Sequence, residues 1–331
     1  MVPADPLANH PCAKHGLPLS DPIRAYNNFV AGMDTRLRNP KWVIEHLTRD
    51  KLKGEGVRTS SQFVEDRELS PRFRAKLTDY RGSGFDRGHM APASNHKESQ
   101  EGMNQTFQLS NISPQVGEGF NRDYWARFER FVQDTTKSFD DVWVVTGPLY
   151  IPRPTPTGWQ MDHGMLGTPP QLVAVPTHFY KVILAERGKK TVAAAFVMPN
   201  ARIAAEHPLA AFSVPLSSLE EVAGVQFFPQ AFAEEAKRTA LDGAALRWQA
   251  QGRAELARGR IGPPGTPPAL LPAPDSAPGK RVAGDAVIAA LHDAAIAHLC
   301  DHVACKLPAE EFWKSGAGAK RQLQRSKSAN F

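Results

Sequence analysis

Within residues 17–230 of this 331-residue chain, one stretch carries apolar side chains at helical spacing, and the rest of the apolar content comes in short runs. Trp125, Phe128 and Val132 recur at helical intervals across residues 124–139, which predicts an amphipathic helix. The runs at residues 42–44, 141–146, 171–175, 179–185 and 192–198 are rich in β-branched and aromatic residues and are set off by Gly and Pro. That composition predicts strands. One helix among several strands implies an α+β domain built on an antiparallel sheet. No run approaches the roughly 18 to 20 uncharged apolar residues of a membrane-spanning helix.

The flanks read differently. Residues 1–16 look like a loose leader. The opening Met1-Val2-Pro3-Ala4-Asp5-Pro6 has neither the apolar region of a signal peptide nor an Arg-rich amphipathic presequence. Residues 231–260 are rich in Ala, Arg and Glu and predict a helix with a weak apolar stripe. The chain has 28 prolines, above the usual share of about 5%. Their clustering in residues 262–279 excludes helix and central strand and marks a linker. Residues 282–299 return to a helical pattern. The expected organisation is a leader (1–16), a folded domain (17–230), an Ala/Pro-rich insert and linker (231–285), a C-terminal helical extension (286–314) and a basic tail (315–331).

Charge is unevenly placed. Of a net 40 − 34 = +6, five charges come from Lys314, Lys320, Arg321, Arg325 and Lys327, with no acid among them. Such a tail can grip a phosphate backbone or an anionic membrane surface; the plain alternative is a solvated chain end. Three cysteines, Cys12, Cys300 and Cys305, are too few for a disulfide framework. Cys300 and Cys305 with His302 between them make a poor zinc pattern, since no second pair of ligands follows. They are expected to be small buried side chains near a helix end.

The chemistry concentrates in three words: Asp86-Arg87-Gly88-His89-Met90, then Asn111-Ile112-Ser113-Pro114-Gln115, then Asn121 through Glu129. Water attack on a phosphodiester needs a base, a cation against the phosphate charge, and an oxygen ligand for a divalent metal. The imidazole of His89 can accept a proton at neutral pH. Arg81 and Arg87 supply forked donors that match phosphate, and Gly84 and Gly88 allow close backbone approach to a ligand. Asn121 offers a hard neutral oxygen suited to Mg²⁺, which keeps most of its waters; it would equally serve as a helix N-cap. Glu129 lies roughly 12 Å further along if the intervening segment is helical, too far for easy shared ligation. It is assigned to ordering water at the metal, against the simpler role of a solvated carboxylate paired with Arg127 or Arg130. Asn111 either orients the base or a water, or serves as a turn residue ahead of Pro114. Asp86 either serves the site or pairs with Arg87 or a backbone amide.

Residues 79–115, around the Asp86-Arg87-Gly88-His89 core, resemble the signature of the DNA/RNA non-specific endonucleases of the ββα-metal fold, in particular the mitochondrial endonuclease G group. Further matching words follow in order: Asn121-Arg122-Asp123-Tyr124-Trp125 through Glu129, residues 142–149, residues 173–184, and Phe196-Val197-Met198-Pro199-Asn200. Upstream, Trp42-Val43-Ile44-Glu45-His46-Leu47 also fits. Residues 300–307 (CDHVACKL) resemble the C-terminal extension of the exo/endonuclease G branch, although that branch usually has Ser at the position of Asp86. The resemblance implies an antiparallel sheet with a central catalytic helix. It also implies one Mg²⁺ (or Mn²⁺) held by Asn121 and waters, with His89 as general base. Arg87 would stabilise phosphate charge, with Asn111, Glu129 and Asp86 completing the site. It further implies hydrolysis of DNA and RNA to 5′-phosphate ends by an endonuclease that could also act as a 5′–3′ exonuclease, a homodimer, and a mitochondrial address.

Two other readings use the same residues. A phosphodiesterase for small nucleotides would need the site without the basic tail. An inactive nucleic-acid-binding protein would keep the scaffold and basic surface but has no need of a base beside a metal ligand.

Overall fold

Side chains alternate between two faces along the central strands, and that alternation sets the layers of the molecule. The structure, a computed structural model, describes residues 14–15, 21–258 and 296–309. The expected proline-rich linker and basic tail, and nearly all of the leader, lie outside the described residues. Strands β1 (Ile23–Ala25), β2 (Phe29–Asp34) and β3 (Asn39–Leu47) open the fold. After the short helix α1 (Leu77–Tyr80) comes β4 (Asp86–His89), then helix α2 (Gln100–Gln105) and β5 (Ile112–Gln115). Helix α3 (Tyr124–Thr135) leads into β6 (Asp141–Leu149). Two small hairpins follow, β7 (Arg153–Thr155) with β8 (Gly158–Gln160) and β9 (Met165–Thr168) with β10 (Gln171–Ala174). The long strands β11 (His178–Arg187) and β12 (Lys190–Pro199) precede β13 (Ser213–Val214), helices α4 (Leu216–Ala223) and α5 (Glu235–Arg258), and a last strand β14 (Ala297–His298).

The main sheet runs β1-β2-β3-β6-β11-β12-β13, antiparallel at each step, with β14 added in parallel on β12. This is the expected α+β architecture around an antiparallel sheet. Along β11 the side chains alternate as pleating requires. Phe179 and Ile183 join a core with Trp125, Phe128 and Val132 of α3, while Tyr180, Val182 and Leu184 join a second core with Leu216, Leu219 and Leu241 of α4 and α5. The sheet is therefore sandwiched between α3 and the α4–α5 pair, which is why its central strands read as nearly continuous apolar runs. Lys181 sits on the α3 face of that sheet at 1% exposure. Its ammonium donates to Thr146 Oγ1 at 2.8 Å and lies 4.6 Å from the Trp125 ring, so a buried cation is stabilised by a hydroxyl and a π face together.

Four expectations change. The run at 171–175 forms β10 in a separate hairpin rather than a strand of the main sheet. The helix expected over 282–299 falls largely outside the described residues, and its end is not helical: Ala297–His298 is a strand and Leu299–Asp301 a 3₁₀ turn. Edge pairing with β12 offers that segment backbone partners that a lone helical turn lacks. Helix α5 forms as expected but buries Leu241, Ala244, Ala245 and Gly252, so this part of the insert packs onto the folded body. Finally, Cys300 and Cys305 are joined in a disulfide and are not the separate buried thiols expected. The 3₁₀ turn brings their Cα atoms to 5.2 Å, within bridging range.

Candidate active site

Strands β4 and β5 form an antiparallel hairpin in which His89 faces Ile112, Gly88 faces Ser113, Arg87 faces Pro114 and Asp86 faces Gln115. Alternation along a strand places Arg87 and His89 on one side of β4 and Asp86 and Gly88 on the other. Each side has a distinct chemistry.

On the first side, His89 is 7% exposed and lies between two aromatic rings. Phe63 is 5.4 Å away centroid to centroid, and Phe107 meets it edge-on at 4.8 Å. The Arg87 guanidinium stacks 4.6 Å from the same Phe63 ring, and Arg58 lies 5.1 Å from Phe107. Burial pushes the Arg87 pKa below its ordinary value; from that starting point the group stays cationic at neutral pH. The imidazole and its neighbouring cation thus share one aromatic wall. Nothing near His89 in sequence signals Phe63 or Phe107, since they arrive from separate segments.

On the second side, Asp86 is the centre of a clamp. Its Oδ2 accepts from Asn121 Nδ2 and from Arg122 Nε, both at 2.8 Å, and its Oδ1 accepts from Arg122 Nη2 at 2.5 Å. Asp86 is thus paired with Arg122, while Arg87, the next residue along the strand, points to the opposite face. The hydrogen bond between Asp86 and Arg122 raises the pKa of that guanidinium. Arg122 was missed as a site residue; its only sequence signal is adjacency to Asn121. The bond from Nδ2 fixes which way the Asn121 amide is turned and directs its Oδ1 away from the carboxylate.

Asn121 does not cap α3. It ends a tight turn over Gly117–Asn121, in which Gly119 takes φ +77°, and the helix starts at Tyr124 with Asp123 in the cap position. The left-handed turn at Gly119, a conformation open to glycine, folds Asn121 back toward β4. The helical spacing assumed between Asn121 and Glu129 therefore does not hold. Glu129, on α3, is 3% exposed and is no solvated carboxylate. Its arginine neighbours are directed elsewhere: Arg130 pairs with Asp134 at 3.2 Å, and Arg127 Nε donates to the Pro308 carbonyl at 2.7 Å.

Asn111 plays a different part from the one expected. Fully buried, it donates from Nδ2 to the carbonyls of Ala91 and Thr106 and accepts at Oδ1 from the Ala91 amide. Its amide is committed to backbone groups, so it braces the segment just after His89. Asn95, a little further on, accepts from Gln133 Nε2 of α3 at 2.8 Å and donates to Glu45 of β3 at 3.0 Å. This chain of bonds ties the His89 strand to the helix and to the main sheet. Gly88 serves packing rather than ligand approach: a Cβ there would lie 2.0 Å from Gln115 Oε1. Gly84 takes φ +81° in the turn into β4, and Arg81 is exposed.

Among the described residues no three or more His, Cys, Asp or Glu side chains gather into a metal cage. The donors present suit an ion that keeps its waters: a neutral amide oxygen from Asn121, with the Glu129 carboxylate on the adjoining helix. Magnesium has that preference.

A family model for DNA/RNA non-specific endonucleases matches residues 9–234. The mitochondrial nuclease 1 of Schizosaccharomyces pombe is 46% identical over 209 residues, 61% of this chain and 65% of that protein. The mitochondrial nuclease EXOG of Xenopus laevis is 43% identical over 235 residues, 70% of this chain and 65% of that protein. The matched stretch is thus a little under two thirds of either relative's length. A solved structure of an EndoG/EndoGI complex superposes with a TM-score of 0.62 at 43% identity, covering 66% of this chain and 89% of that one. With the hairpin and helix in the arrangement its signature implies, and the family model spanning well over half of its residues, the chain belongs to the DNA/RNA non-specific endonuclease family.

Proposed function

We propose that this protein is a metal-dependent nuclease that hydrolyses DNA and RNA phosphodiesters with little regard for sugar, leaving 5′-phosphate ends. One observation carries the reading. Asp86, three residues before His89 on β4, accepts from the Asn121 amide nitrogen at 2.8 Å, which ties the proposed metal ligand to the strand that carries the proposed base. In this reading His89 takes a proton from water as that water attacks phosphorus, and the 3′-oxygen leaves. Arg87, stacked on Phe63, balances phosphate charge. Asn121 Oδ1 holds magnesium, with manganese as the alternative ion, and Glu129 orders water beside it. When bound, the metal supplies positive charge to the phosphate and the leaving oxygen. Asp86 and Asn111 act as positioning groups, the first on Asn121 and the second on the backbone after His89.

The relatives named as mitochondrial nucleases support a mitochondrial address. We take the enzyme to be a homodimer whose basic tail adds phosphate contacts. Matches to EXOG and to EndoG stand at the same 43% identity, so the balance of endo- and 5′-exonuclease action falls to experiment. Closed circular duplex and end-labelled linear duplex are incubated with Mg²⁺ or with EDTA. Metal-dependent cutting of the circle is the expected result. Loss from 5′ ends with the circle intact makes the enzyme an exonuclease. Binding without cleavage of either substrate overturns the proposal in favour of an inactive binding protein.

A further inference from the structure

We infer that residues 296–309 form a disulfide-clipped strap that holds helix α3 in place, and that a small dithiol able to open Cys300–Cys305 loosens that helix and slows the enzyme. The effect on rate rests on the nuclease reading above; the effect on the helix does not.

The strap begins as β14, paired with Val192 and Ala193 of β12. It then turns at Leu299–Asp301 and crosses to α3. Leu299, Cys300 and Leu307 are buried in the same core as Phe128, Phe131 and Val132 of that helix. At the far end the Pro308 carbonyl accepts from Arg127 Nε at 2.7 Å, while the Ala205 carbonyl accepts from Arg127 Nη1 at 3.2 Å. Arg127 is 4% exposed, and a buried guanidinium that loses an acceptor is strongly disfavoured. It sits two residues before Glu129, so the strap bears on the turn of α3 that carries a candidate site residue.

Besides the disulfide, the bend is held by a few side-chain bonds at its start: Trp248 Nε1 donates to Asp301 Oδ1 at 2.8 Å, Lys190 to His302 Nδ1 at 2.7 Å, and the Cys300 amide to His298 Nδ1 at 3.2 Å; none of these holds Cys305. Two paired residues make a strand too short to persist alone. The backbone bonds across the bend are those from the His302 and Val303 amides to the Leu299 carbonyl, and from Lys306 to Ala304. A cleft of about 390 Å³ separates Phe131, Asp134 and Ser138 of the helix side from Val303, Lys306 and Leu307. The strap therefore has room to shift once the clip is open.

The chemistry of opening is set by exposure. Cys300 is 6% exposed and Cys305 only half-buried, so the thiolate of a dithiol reaches the Cys305 sulfur first. A mixed disulfide forms there as the Cys300 thiolate leaves. The second thiol of the reagent then attacks its own sulfur in that mixed disulfide and expels the Cys305 thiolate. The dithiol is oxidised by two electrons to its disulfide, the protein disulfide is reduced by the same two, and the reagent's two protons end on the cysteines. Lys190, hydrogen-bonded to His302 at 2.7 Å, and Lys306 next to Cys305 add positive charge that favours departing thiolates.

The test uses the full chain with Cys12→Ser, which leaves this pair as the only cysteines. Dithiothreitol is added until two thiols titrate, and amide exchange and cleavage of circular duplex are followed with Mg²⁺ present. Protection across residues 124–135 is expected to fall by about tenfold or more, cleavage to slow by about tenfold, and reoxidation to restore both. A Cys300→Ser/Cys305→Ser double variant should behave like the reduced protein and ignore dithiothreitol. If that variant fails to fold, the reversible reduction of the parent decides alone. Unchanged α3 protection with both thiols free overturns the strap. Changed protection with no cleavage in either state supports the strap and instead removes the nuclease reading.

Discussion

The two faces of β4 differ in kind, one aromatic and one built on charge-assisted hydrogen bonds. One holds His89 and Arg87 against the rings of Phe63 and Phe107. The other holds Asp86, Asn121 and Arg122 in a set of short charge-assisted hydrogen bonds. A proton acceptor benefits from an apolar wall that limits competing water, whereas an amide that must present one oxygen benefits from rigid bonds at its nitrogen. In the proposed reading a single four-residue strand would supply both settings, because its side chains alternate.

The largest effect should come from the aromatic face. His89→Ala is expected to lower cleavage by about a thousandfold or more while duplex binding persists; turnover near that of the parent would remove His89 as the base. On the clamp face, Asp86→Asn keeps the shape but loses the charge. The Mg²⁺ concentration for half-maximal activity should rise by about ten- to a hundredfold, and an unchanged titration curve would end the claim that the clamp positions Asn121.

A third experiment separates the chemistry of His89 from stability. His178 and His298 are held neutral by burial, each with its pKa pushed down to about 4. Their folded values lie below the ordinary 6.5, so the unfolded chain binds protons first as pH falls. Stability conferred by the neutral histidines is complete above about 6.5 and is lost as pH drops toward 4. At pH 5 each should cost about 2 kcal/mol, discounted for His178 by its partial exposure. Urea unfolding of the parent and of His298→Gln at pH 7 and pH 5 checks this, the variant losing less on acidification; equal losses would acquit His298. Smallest of all, Phe107→Leu should slow cleavage by about threefold through the lost ring contacts of His89 and Arg58. A change only in binding would place Phe107 outside the base's setting.

Legibility followed the range of each interaction. Strands β3, β6, β11 and β12 and helix α3 were readable because their periodicity is local and both faces of the sheet are buried. The short β4 and β5 were not, for DRGH and ISPQ carry no apolar alternation; pairing with each other makes them strands. His89 and Asn121 could be singled out by residue type and neighbouring words. Asn111 could not be placed, since an amide bonded to three backbone groups looks the same in sequence as one aimed at a ligand. The cysteine pair was misread for a similar reason: with five residues of separation, only the bend of the chain decides whether two thiols meet.

By itself, then, the sequence determined the α+β class, the apolar strands and the amphipathic helix beside them, and the residue types able to supply a base, a cation and an oxygen ligand. These follow from pattern and chemistry along a few consecutive residues. The tertiary structure alone decided that Phe63 and Phe107 flank His89, that Asp86 takes Arg122, that Gly119 folds Asn121 back toward the strand, and that residues 296–309 return to α3. Each of those brings together groups far apart in the chain or chooses between faces of one strand. Such choices depend on which contacts the whole fold can satisfy at once.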